Sequence, residues 1–129
     1  MSDKGWEVGW KDRVALEFEI INDADLESLR AALKDDKPFV RSMAARALGI
    51  LADRDSVDAL ATLATNDPSY LVRIRAVESL GFLKMKLDVI ELATKDKQGG
   101  VQWSARLATE HLKSDYDYAA QIRRAFAIG

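Results

Sequence analysis

Two stretches of this 129-residue chain repeat one another at a constant spacing of 32 residues. Val40, Arg41, Ala44, Leu48, Gly49 and Leu51 return as Val72, Arg73, Ala76, Leu80, Gly81 and Leu83. A weaker third copy follows 29 residues later, with Val101, Gln102, Ala105 and Leu112. It puts Gln102 in place of the arginine, Thr109 in place of the leucine and Glu110 in place of the glycine. Self-similarity at a period near 30 residues marks stacked units, each too small to bury its apolar face alone.

Every copy is preceded by a second apolar stripe. Leu26, Leu29 and Leu33 sit at i, i+3 and i+7. Val57, Leu60, Leu63 and Ala64 repeat that stripe, as do Leu87, Ile90, Ala93 and Thr94. These spacings place one apolar face on a helix. The expected unit is therefore a shorter helix, a turn and a longer helix, over about 24–51, 55–83 and 86–112. Pro38 and Pro68 each fit the first turn of a long helix, where a missing N–H costs nothing. Asp67 is expected to cap its helix, and Asp55/Asp58 and Ser114/Asp117 read as capping boxes with Asp as the acid. Gly99-Gly100 marks a turn before the third long helix.

The ends read as caps. Trp10, Val14, Phe18 and Ile21 match the long-helix stripe 30 residues upstream of Val40, Ala44, Leu48 and Leu51. Val14, Leu16, Phe18 and Ile20 also alternate as a strand would. A lone strand has no pairing partner, so residues 10–21 are expected to be helical. Tyr118, Ile122 and Phe126 at i, i+4 and i+8 predict a final helix over about 116–127, covering the end of the stack.

Composition narrows the chemistry. The chain has no cysteine and one histidine, so thiolate zinc sites, iron–sulfur ligation, disulfides and multi-histidine metal centres within one chain are excluded. No apolar run approaches the roughly 20 residues of a membrane span. The start, Met-Ser-Asp-Lys-Gly-Trp, lacks a basic head followed by an apolar stretch, so the expected location is cytoplasmic, without a secretion signal.

The pattern Asp-Pro…Val-Arg-x-x-Ala-x-x-x-Leu-Gly resembles HEAT repeats, in particular the short repeats of the phycobilisome-lyase-like branch. It rests on Pro38, Val40, Arg41, Ala44, Leu48 and Gly49 and on Asp67, Pro68, Val72, Arg73, Ala76, Leu80 and Gly81. The resemblance covers roughly residues 24–112. Together with the periodicity it gives an all-α, right-handed α-α solenoid of three HEAT-like repeats with a helical cap at each end, in a single domain over 1–129. It implies a concave surface lined by the second helices, and a general tendency to bind other macromolecules there.

Arg41 and Arg73 follow Asp36 and Asp67 by five or six residues. They read first as an intramolecular Asp–Arg ladder tying neighbouring turns, and second as sites for an anionic partner. His111 is the one base that titrates near neutral pH. At a helix end it is expected to meet terminal carbonyls or solvent, and no nucleophile beside it points to catalysis. Asp53-Arg54-Asp55 fails as an EF-hand loop, because Val57 and Asp58 stand where a ligand and a glycine are needed. Nothing in the sequence calls for a cofactor.

On the outer side of the long helices, at 100° per residue, lie Ser42, Ala45, Arg46 and Gly49, then Ile74, Val77, Glu78 and Gly81, then Trp103, Arg106, Leu107 and Glu110. Ile74, Val77, Trp103 and Leu107 either form an exposed apolar strip flanked by Arg46, Arg75 and Arg106, or pack against adjacent helices. An exposed strip of that composition has the character of a protein interface. The expected function is a non-catalytic protein-interaction scaffold, with self-association as another use of the same surface. The alternative is nucleic-acid binding through the arginines, and a lower one is an accessory subunit of a bilin-lyase-type enzyme. A net charge of −2 disfavours nucleic acid.

Overall fold

The apolar stripes fold as their period dictates, into short and long helices in alternation. A computed structural model describes residues 25–125. Its pairs are α1 (Leu26–Ala32) with α2 (Pro38–Ile50), α3 (Val57–Asn66) with α4 (Tyr70–Leu83), and α5 (Leu87–Ala93) with α6 (Gly99–Lys113). A 3-10 turn over Arg54–Ser56 leads into α3, and a last helix, α7 (Tyr118–Ala125), follows. The expected helix over residues 10–21 lies outside the described residues, as does Phe126.

Helix starts differ from expectation in an informative way. Pro38 opens α2, but Pro68 stays outside α4, which begins two residues later at Tyr70. Asp67 is therefore no N-cap. Its carboxylate instead closes a turn by accepting from the Ser69 N–H at 2.9 Å. Asp35 accepts likewise from Lys37 N–H, and Asp96 from Gln98 N–H, both at 2.9 Å. This Asp turn recurs before each long helix and frees the other carboxylate oxygen for a partner. Gly99 and Gly100 belong to the first turn of α6 rather than to the loop before it. Side-chain caps do occur at Asp25, which accepts from Ser28 N–H at 2.7 Å, and at Asp117, which accepts from Ala120 N–H at 2.9 Å.

The pairs stack into an α-solenoid. α2 packs on α4 and α4 on α6, while α3 packs on α5 along the other side. Leu48, Ile50, Leu60, Val72, Leu80, Ile90 and Val101 are wholly buried between the two layers. The long helices are buried over more of their circumference than a single apolar stripe predicts. Ser42, Ala45 and Gly49, expected on the outer face, are all buried. Each of these helices is flanked by another long helix, so its sides are interior as well as its base.

The flanks come close because they carry small residues. A Cβ on Gly49 would lie 2.1 Å from Ser79 Oγ and 2.7 Å from Ser79 Cα. Ser79 Oγ donates to the Ala45 carbonyl at 2.6 Å across the same crossing. A Cβ on Gly81 would lie 2.8 Å from Ala108 Cβ. Gly49 and Gly81 thus set the spacing of the stack.

Among the described residues α6 is the last long helix of the stack, and its outer flank is polar. Gln102, Arg106 and Glu110 hold the positions that Arg73, Val77 and Gly81 hold on α4. A terminal unit with a polar outer face needs no cover. Accordingly α7 does not close that end. It lies back against α2 and α4, burying Ala119 and part of Ile122. Arg123 Nη1 donates to the Ile50 carbonyl at the C-terminus of α2 at 2.6 Å.

Candidate protein-binding surface

The long helices leave one edge open along the stack, running through Phe39, Arg46, Leu71, Arg75, Glu78, Trp103 and Leu107. The first-turn position of α2 makes Phe39 65% exposed, since the helix has no preceding turn to cover it. Trp103 is 60% exposed on α6, and Leu107 is 44% exposed one turn further on. A cleft of about 90 Å³ between α2 and α4 is lined by Phe39, Ser42, Met43, Arg46, Leu71 and Arg75. A second, of about 70 Å³ between α4 and α6, is lined by Glu78, Phe82, Ser104, Leu107, Ala108 and His111.

The structure divides the residues expected on this surface. Arg46 lines the first cleft. Glu78 lines the second and lies 3.4 Å from Arg75. Trp103, Arg106, Leu107 and Glu110 are exposed, with Glu110 3.9 Å from Lys113. Val77 does not belong to the surface: it is wholly buried where α6 packs on α4. Ile74 is half-buried, with its Cδ1 3.0 Å from the place a Cβ would take on Gly100. The expected continuous strip is therefore broken at α4, and Phe39, Met43, Leu71 and Phe82 extend the surface instead. The 32-residue register sets Phe39 opposite Leu71, a signal that sequence reasoning passed over because both lie next to turns.

The arginines at 41 and 73 are turned inward. Arg41 Nε and Nη2 donate to the two oxygens of Asp67 at 2.8 and 3.1 Å. Arg73 does the same to Asp96 at 2.9 and 3.2 Å. Each arginine thus reaches the turn of the following pair. With its remaining Nη1 it holds a carbonyl of its own turn, Asp35 and Asp36 for Arg41 and Asp67 for Arg73. The acid equivalent to Asp67 and Asp96 is Asp35, so the pairing of Asp36 with Arg41 is corrected to a contact through the Asp36 backbone. Gln102 keeps the carbonyl contact, to Asp96 at 2.6 Å, and lacks the charge that would seek a further acid. At the other end, Arg30 binds Asp53 through both oxygens, at 2.8 and 2.7 Å.

These contacts shift the acids. The Arg30 hydrogen bond holds the Asp53 carboxyl below the usual carboxylate range, against the opposing effect of burial. Burial alone would raise Asp96. The Arg73 hydrogen bond and the Gln98 amide outweigh it and leave the group lowered. A folded-state value below the unfolded one means that the stabilisation is present above about pH 4 and is lost as the pH falls through the folded value. Thermal melts across pH 5 to 2 are expected to show these acids contributing a fall in stability below about pH 4. Asp53→Asn should flatten that fall, and a wild-type-like acid profile in that variant would contradict the assignment.

His111 is half-buried, and its ring packs among aromatic side chains rather than against the terminal carbonyls. Its ring stacks on Tyr118 at 4.1 Å between centroids and on Phe82 at 5.6 Å. Nδ1 is buried and has no hydrogen-bond partner. Burial lowers its pKa, Glu78 opposes the shift, and Lys84 adds to it. Among the described residues no group of three acids or histidines is placed to hold a metal ion, and no helix is long and apolar enough to cross a membrane.

A family model described as HEAT repeats matches residues 14–81 of the chain. The match is to HEAT repeats in general and does not select the phycobilisome-lyase-like branch. No curated protein matches the chain.

Proposed function

This chain belongs to the HEAT-repeat family, whose members generally act as protein-interaction scaffolds, and from that premise we propose that it is a non-catalytic scaffold binding another protein along the open edge of its long helices. The three helix pairs are its three repeats, over about 24–51, 55–83 and 86–112, within one domain. The observation that carries the proposal is the exposure of Phe39, Trp103 and Leu107, with Phe39 on a cleft rimmed by Arg46 and Arg75 and Leu107 on a second cleft. Aromatic anchors in partly desolvated clefts, with arginine at the rim, are the side chains on which protein interfaces concentrate their binding energy.

Nucleic acid fits this edge less well. Arg41 and Arg73 are used up inside the ladder, and Arg75 lies beside Glu78. Three arginines at 46, 75 and 106 then face two glutamates at 78 and 110, a thin footprint for a phosphate backbone.

The test is affinity capture from host lysate with wild type and the double variant Phe39→Glu/Trp103→Glu. Both positions are exposed, so the variant is expected to fold and to melt like wild type. A retained protein that the variant loses supports the reading. Identical captures would sink it. Retention of nucleic acid that weakens steeply with salt, and with Arg106→Glu, would move the assignment to that class.

A further inference from the structure

The C-terminal helix α7 is held on the long helices by few contacts. Of its eight residues only Ala119 is buried. Arg123 bonds the Ile50 carbonyl, Lys84 Nζ bonds the Ser114 carbonyl in the link before α7, and Ile122 is partly buried on the core. Among the described residues a further attachment is the stack of Tyr118 on His111, with Phe82 also stacked on that ring. Tyr116 meets Tyr118 edge-on at 4.7 Å and extends the same cluster.

That stack is built around a half-buried ring whose Nδ1 is enclosed and without a hydrogen-bond partner. Neutral imidazole leaves Nδ1 as a bare acceptor, which a buried apolar wall accommodates. Protonation turns Nδ1 into a charged donor with no acceptor within reach. An unpaired buried charge is far more costly than an unpaired neutral group. Around the ring, α4 presents Glu78 and its C-cap Lys84, and the segment leading into α7 presents Tyr116 and Tyr118. Glu110 and Lys113 on α6 itself are paired with each other at the surface. Neither Glu78 nor any tyrosine hydrogen-bonds Nδ1.

We propose that α7 is a latch held closed on the long helices by the neutral His111 ring, and that protonating this ring opens it. Nδ1 reaches water, and its charge is solvated, when the ring parts from Tyr118. The His111 and Phe82 rings, which line the α4–α6 cleft, and the Ile50 carbonyl then become more accessible. The cleft borders Leu107 of the proposed binding edge, so opening adds apolar surface to that edge. The latch itself does not depend on what binds there.

The lowered pKa of His111 agrees in sign with this coupling. A basic group whose folded value lies below its unfolded one keeps its stabilising effect at neutral pH. It loses that effect as the pH falls below about 6.5.

Because the chain has one histidine, a single imidazole resonance reports its titration. The experiment pairs that titration with amide hydrogen exchange, corrected for intrinsic rates, on the full chain between pH 8 and 5. Wild type is expected to lose protection several-fold in residues 118–125 as the resonance titrates, while α4 keeps its protection. His111→Phe keeps an aromatic ring in the stack and cannot be protonated, so its α7 should stay protected throughout. Tyr118→Ala should expose α7 at every pH and bring the His111 pKa back toward its ordinary value. Unchanged α7 protection in wild type across the titration would overturn the proposal. So would an equal loss in His111→Phe, which would place the pH response elsewhere.

Discussion

Asp67→Ala is expected to lower the stability of the protein by about 3 kcal/mol, a large share of the total for a domain of this size. The carboxylate is 3% exposed and receives both arms of Arg41, itself 13% exposed. Removing it leaves a guanidinium facing a hole in the turn between two helix pairs. Breaking a buried ion pair from one side typically costs about 3–5 kcal/mol, because the remaining charge is uncompensated. The lower end applies here, since Arg41 keeps the Asp35 and Asp36 carbonyls. Asp67→Asn should cost less, because the amide oxygen still accepts from Ser69 N–H and preserves the turn. Denaturant melts of the two variants separate charge from turn. If Asp67→Ala melts with wild type, the ladder is ornamental and the stack is held by apolar packing alone.

Gly49→Ala is expected to destabilise by about 2–3 kcal/mol, although alanine is the better helix former by about 1 kcal/mol. The added methyl would overlap the Ser79 side chain and its Cα, and that backbone cannot step aside without separating α2 from α4. The Ser79 bond to the Ala45 carbonyl would be lost in the same movement. Gly99→Ala is the matched control. Nothing lies within 4 Å of its Cβ position in the first turn of α6, so the substitution should be neutral or stabilising. Opposite signs for one chemical change at the two glycines would confirm that the crossing, and not helix propensity, governs. Equal effects would contradict the packing described.

The helix pairs were legible because their periodicity is local. Leu29, Leu33, Leu60, Ala64, Ile90 and Ala93 announce the short helices, and all are buried. The ladder was half legible. Arg41 and Arg73 recur with the repeat, but each pairs with an acid one repeat ahead, and proximity in sequence pointed to Asp36 instead. Asp96, which receives Arg73, carries no proline after it to mark the turn. The surface was the hardest part. Ala45, Val77 and Arg106 hold equivalent positions, yet only Arg106 is exposed. What differs is the neighbour: the first two are covered by the next long helix, and the third stands where stacking ends. A helical wheel assigns a direction to a side chain and says nothing of what arrives from that direction. The return of α7 across α2 and α4 was likewise invisible, because it depends on the polar flank of α6 needing no cover.

We propose that a protein partner lies along the open edge of the long helices. This is tested most directly by placing a photo-reactive phenylalanine analogue at single positions and cross-linking in host lysate. Positions 39 and 103 lie on the proposed edge, and position 92, 55% exposed on the short helix α5, lies away from it. One common protein adduct is expected from positions 39 and 103, and none of that mass from position 92. An adduct formed from position 92 and absent from 39 and 103 would put the binding surface on the other face of the solenoid and contradict the account.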